Sequence, residues 1–209
     1  MGGKVLENKR LKMAKLYDAA YELFTSNGVH NTVIDDIVKN AGVAKGTFYL
    51  YCKDKYDLVD KVIIRKTSAL LNGAMEVLRK KQESSPEPLT MQQNVLLIVD
   101  YLSTYFVRDP KFLELIFKNL SLPLFEKLMY SDEMKTAWEA FTNHFVHDGG
   151  SVETAGQRLY IIVSMVGSVL YNCIVLKGPY EFEDVKPELY RSVEQILASN
   201  TGSIPAVKL

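Results

Sequence analysis

Residues 32–55 read TVIDDIVKNAGVAKGTFYLYCKDK, and this stretch decides the fold. Val33, Ile34, Ile37 and Val38 lie at helical spacing, and Asn40-Ala41-Gly42 ends that run after little more than two turns. Asp35 stands three residues after Thr32, where a carboxylate can return a capping hydrogen bond and meet the positive end of the helix dipole. A second short helix follows from Val43 to Tyr51, and Lys53-Asp54-Lys55 opens a third segment. Two short amphipathic helices joined through Ala41-Gly42-Val43 predict a helix-turn-helix: Gly42 permits the tight turn, and Ile37, Val38, Val43 and Phe48 pack the pair at a steep angle. In such a unit the second helix enters the major groove of DNA and its first residues meet base edges.

The composition of that second helix suits the task. Lys45, Gly46 and Thr47 supply a charge, a close backbone approach and a hydroxyl, while Tyr49 and Tyr51 add phenols. Hydroxyls and phenols hydrogen-bond phosphate oxygens, and Thr47 and Tyr49 also offer apolar surface to a thymine methyl. One turn of helix cannot turn Phe48, Tyr49, Leu50, Tyr51 and Cys52 all inward, so at least two of them face outward. Charge points the same way. The chain has 25 basic and 25 acidic residues, yet residues 1–66 hold twelve Lys/Arg against eight Asp/Glu, a surplus of +4 that the rest of the chain reverses. A basic head on an acidic body is the distribution of a protein whose head meets a polyanion.

Outward from this segment the chain reads as helix throughout. Met13, Leu16, Ala20, Leu23 and Phe24 form one face of a helix over 9–27 that stops at Asn27-Gly28. A long helix covers 56–81, and the Ser84-Ser85-Pro86-Glu87-Pro88 stretch breaks it. Further helices cover 90–107, a segment opening at Asp109-Pro110, one helix or two over 124–147, an apolar helix from 151 to 177, and 183–199. The expected fold is all-α, with about nine helices. A three-helix helix-turn-helix domain is expected over 1–55, a larger helical bundle over 56–200, and a disordered tail over 201–209.

The string AGVAKGTFYLYCKDKYDL at 41–58 resembles the N-terminal signature of the TetR family, the tetracycline-repressor-like regulators. The resemblance covers roughly residues 9–65, and beyond Lys66 it extends only to helix number, length and order. It implies that Thr32 and Lys55 contact phosphate, the latter with the help of a helix dipole. It also implies that Lys45, Gly46, Thr47 and Tyr49 face the groove and backbone, and that Tyr51 fills the slot of a phosphate-binding histidine. Two positions depart from the pattern: Cys52 stands where a phenylalanine is usual, and Asp35 puts an acid near the groove. The family further implies a homodimer joined through its last two helices and a small-molecule inducer held among the middle ones.

The body is compatible with both. Ser164, Gly167, Ser168 and Tyr171 form a stripe of mostly small residues on the apolar helix. With Leu189, Val193 and Ile196 it makes a four-helix interface between two chains, or else packs within one. Tyr101, Tyr105, Trp138, Phe141 and Tyr160 make either a partly apolar ligand pocket or an ordinary core, and His144 is the polar group placed to orient a ligand. The expected function is that of a cytoplasmic transcriptional repressor released from operator DNA by its effector. The alternative is a TetR-type activator, or a regulator without a small-molecule inducer. No nucleophile–base set, phosphate loop or metal-ligand spacing favours an enzyme, a cofactor or a metal. The uncharged run at 159–176 reaches the length of a membrane span, but Ser164, Ser168 and Asn172 interrupt it, and a buried helix is the expected reading.

Overall fold

The first helix runs 26 residues and turns one face, Leu16, Ala19, Ala20 and Phe24, wholly inward. It belongs to a computed structural model that describes residues 2–129, 132–147 and 149–198. Ten α-helices are present among the described residues: α1 Gly2–Asn27, α2 Ile34–Ala41, α3 Lys45–Tyr49, α4 Lys55–Ser84, α5 Met91–Arg108, α6 Pro110–Asn119, α7 Leu122–Met129, α8 Asp132–His147, α9 Val152–Leu170 and α10 Phe182–Ala198. A π-helical turn, Tyr171–Val175, continues α9. The region read as one helix or two resolves into α7 and α8. The tail at 201–209 lies outside the described residues.

The chain divides into two units. The first comprises residues 2–69 together with Lys111–Met129. Its core gathers the inward face of α1, Ile37, Val38 and Ala41 of α2, Phe48 of α3, and Leu58, Val59, Val62 and Ile63 of α4. Leu115 of α6 and Leu124 of α7 complete it, so this unit, the head of the chain, extends past the expected boundary at residue 55 and takes in helices that arrive about sixty residues later. An exposed ion pair of 3.0 Å between Lys127 and Asp60 joins α7 to α4. Lys66 lies 3.7 Å from the Tyr21 ring centroid and 5.0 Å from that of Phe112, tying α4 to α1 and α6.

The turns of the head follow from local chemistry. Gly28 ends α1 at φ 79°, a left-handed conformation that costs glycine nothing. Gly42 (φ 64°) ends α2 the same way, its N–H reaching Lys39 O at 3.2 Å while Val43 N reaches Val38 O at 3.0 Å. The start of α2 differs from expectation. Its N-cap is Val33, with no side-chain cap, because Thr32 turns inward.

The second unit comprises residues 70–110 and the described part of 130–209. Thr90 and Gln93 close a reciprocal capping box at the start of α5, at 2.9 and 3.2 Å. The phenol of Tyr101 lies against Gly73 of α4, where a Cβ would meet its oxygen and oblige the Tyr101 side chain to move. Helix α10 packs on α5 and α9, and α8 packs on α9. Asp100 accepts from Tyr190 Oη (2.8 Å) and pairs with Lys186 (2.8 Å). By length and composition, Val152–Val175 could cross a membrane; one third of its most apolar window is buried.

Candidate nucleic-acid interface

Helix α3 has only five residues, and it is held by one of them. Phe48 is fully buried and meets Tyr49 edge-on at 5.2 Å. Anchoring that one side chain leaves Lys45, Gly46 and Tyr49 on the exposed side, with Thr47 half-buried. Tyr49 is 54% exposed and Leu50 75%. A Cβ at Gly46 would meet nothing within 4 Å, so the backbone there is open to approach. Tyr51 is half-buried against the core, and its carbonyl accepts from Lys61. Cys52 occupies the core position beneath, and burial pushes its thiol up from the ordinary value.

Two of the expected phosphate contacts have other employment. Thr32 is 1% exposed, and its hydroxyl donates to Gly28 O (2.8 Å) and Leu23 O (3.3 Å). Its side chain therefore braces the loop that leads into α2 and does not reach solvent. Lys55 donates to His30 O (2.7 Å) and Thr32 O (3.0 Å), clamping that same loop to the start of α4. The amides that a helix dipole would offer an anion there are occupied as well: Asp54 Oδ1 accepts from Tyr56 N (2.9 Å) and Asp57 N (2.8 Å). Both residues position the loop before α2, and the two carbonyls leave one N–H of the Lys55 ammonium for a phosphate.

Three features escaped the sequence reading. Lys45 pairs with Asp35 of α2 at 2.7 Å, both side chains exposed, and the Asp35 carboxylate raises the Lys45 ammonium above its ordinary value by hydrogen bond and by charge. Tyr56 is 57% exposed beside Lys55, which lies 5.5 Å from its ring centroid. Leu50 projects an apolar side chain past the end of α3. Only Asp35 carried a signal in the sequence, as the acid at an unusual place.

The body residues expected to bind a ligand separate into different environments. Tyr101 packs on Gly73, and Tyr105 contacts Phe106 edge-on at 5.7 Å and donates to Asp109 at 3.4 Å. Trp138 and Phe141 stack at 6.4 Å on α8, and a Cβ at Gly156 of α9 would lie 3.2 Å from the Trp138 ring. Tyr160 is 62% exposed on α9, and the His144 side chain lies outside the described residues. Of the expected pairing residues, Leu189 and Val193 are buried within the unit, and Ile196 is half-buried. Ser164 and Ser168 are exposed, Gly167 and Tyr171 half-buried, and they share the outward face of α9 with Tyr160, Ile161 and Val163.

Comparison with known proteins gives this geometry its relatives. Residues 16–62 match the profile described as bacterial regulatory proteins, tetR family. A fatty acid metabolism regulator protein of Bacillus subtilis is 31% identical over 94 residues, which cover 45% of each chain. The transcriptional activator FasR of Mycolicibacterium smegmatis is 27% identical over 52% of this chain and 46% of its own. The chain thus matches about half the length of these curated relatives. The solved structure of the regulator FadR from Bacillus subtilis, in complex with stearoyl-CoA, shares the fold at a TM-score of 0.62 and 19% identity, over 88% of this chain and 97% of that one.

Proposed function

We propose, because residues 16–62 match the model of the tetR family of bacterial regulatory proteins, that the chain is a sequence-specific DNA-binding transcriptional regulator of that kind. It works inside the cell as a homodimer, a repressor that a small molecule bound in the second unit releases from its operator. The observation that carries the reading is α3: one buried aromatic fixes the helix, leaving Lys45, Gly46 and Tyr49 exposed and Thr47 half-exposed. Lys45, Gly46, Thr47 and Tyr49 form the reading surface. Tyr51, half-buried, shapes it from beneath, while Thr32 and Lys55 set the loop beside it.

Pairing is assigned to the outward face of α9, where Tyr160, Ile161 and Val163 are exposed around Ser164, Gly167 and Ser168. An apolar helix face of this kind is costly to leave in water and is covered when a second copy packs on it. Two-fold pairing presents two reading helices to half-sites about 34–36 Å apart or a multiple of it.

Selection of duplexes from a random pool by the purified chain, followed by titration of the recovered sequence, tests the DNA assignment. Thr47→Ala with Tyr49→Ala is expected to cost about 1–3 kcal/mol on the selected duplex and little on unselected DNA. Equal binding to all duplexes would overturn it. For the effector, the stearoyl-CoA complex of one structural neighbour and the fatty-acid role of one relative make a long-chain acyl-CoA the first probe. Release of the selected duplex by that thioester, but not by free CoA, supports the repressor reading. A regulator that activates is the second reading, favoured by the similarity to an activator. Tightened binding on adding the thioester would turn the assignment that way.

A further inference from the structure

Helix α3, Lys45–Tyr49, carries one formal charge, the ammonium of Lys45, and that charge is matched by a carboxylate from the neighbouring helix. Asp35 sits in the first turn of α2, and its Oδ1 lies 2.7 Å from Lys45 Nζ. Both groups are exposed, so the pair is not a by-product of burial. A DNA-reading helix gains sequence-independent affinity from each lysine that displaces a counterion from a phosphate. Here the only lysine on that helix is withheld from that use. An ammonium has three N–H groups, and one spent on Asp35 leaves two, held at a fixed place near the start of α3. The carboxylate itself repels phosphate, and Asp36, exposed next to it, adds to the repulsion.

We infer that Asp35 is a specificity-determining positioning residue, which holds Lys45 away from backbone phosphates and keeps it for a base edge. The inference rests on the DNA-reading assignment and adds to it the division of labour on its surface. Phosphate attraction comes from lysines off the reading helix, such as the exposed Lys39 and Lys53. Discrimination comes from Lys45, Thr47 and Tyr49. A lysine offered to guanine O6 and N7 gains sequence information, whereas the same lysine on a phosphate gains none.

The test uses the full chain, the selected duplex and an unselected duplex of equal length, with affinity measured at several salt concentrations. Asp35→Asn frees Lys45, so binding to the unselected duplex tightens at low salt and log K falls more steeply with log salt, by close to one unit of slope. Between 50 and 200 mM salt this amounts to about a 3.5-fold greater loss of affinity, and the ratio of selected to unselected affinity falls about threefold or more. In a Lys45→Gln background the same Asp35→Asn change is expected to shift slope and ratio much less, by the lost repulsion alone. An unchanged slope in the single variant overturns the proposal. So does an equal change in both backgrounds, since Asp35 would then act as a bare repelling charge without Lys45. A wild-type chain that prefers no duplex takes down the DNA reading and this inference together, a result distinct from either. Because the pair is exposed, thermal midpoints of all four proteins are expected to coincide, which separates reading from folding.

Discussion

Helices α3 and α9 solve opposite problems. In α3, five residues long, one aromatic is buried and the outward groups are a lysine, a glycine, a half-buried threonine and a phenol. In α9, nineteen residues long, the inward face is Ala155, Ile162, Val166 and Leu170, yet Tyr160, Ile161 and Val163 face outward. What a helix leaves exposed describes its partner better than what it buries. The polar exterior of α3 suits a charged, hydrated surface such as duplex DNA, and the apolar exterior of α9 suits another protein face.

The contrast can be broken first at its anchors. Phe48→Ala empties the centre of the head's core and is expected to cost about 3–5 kcal/mol. Chemical denaturation should register it as an early loss of the head; a midpoint like the wild type's would mean that α3 is held by something else. On α9, Ile161→Glu should leave the isolated chain within about 0.5 kcal/mol of wild type, because the side chain is half exposed. The same change should weaken self-association at least tenfold, about 1.4 kcal/mol, as seen by sedimentation over a dilution series. A dimer indifferent to the introduced carboxylate would return the face to solvent.

The smallest effect belongs to a polar contact inside the second unit. The Lys186 ammonium, then the Tyr190 hydroxyl, hold the Asp100 carboxyl below its ordinary 3.8 against the opposing effect of burial. A lowered folded value means that the contribution is complete above the unfolded value and is lost as pH falls through the folded one. Lys186→Met should therefore lower the thermal midpoint at pH 7 by an amount worth under about 1 kcal/mol. The gap to wild type should close below pH 3.8. A gap that persists in acid would assign the loss to packing of the lysine stem.

Much of the head was legible from residue type alone. Gly28 and Gly42 end helices where the sequence predicts, and Phe48 with Ile37 and Val38 packs as the helix-turn-helix requires. The failures there concern direction. A threonine ahead of a helix serves equally well as a cap or as an inward brace, and nothing in the sequence tells which carbonyl lies within its reach. The burial of Leu189 and Val193 is the same problem at larger scale: periodicity defines a face without saying whether the face meets the same chain or another. The membership of α6 and α7 in the head left no trace in the sequence at all. Leu115 and Leu124 are ordinary apolar residues whose partners lie far back in the chain.

That last arrangement has a consequence for how the protein is made. A ribosome delivers α1 to α4 well before Leu124, so the emerging head has a gap in its interior until α7 arrives. An N-terminal fragment cut in the long fourth helix would lack Leu115 and Leu124 and keep that hole permanently. Such a fragment would carry the whole of α3 and yet lack part of the core against which Phe48 anchors it.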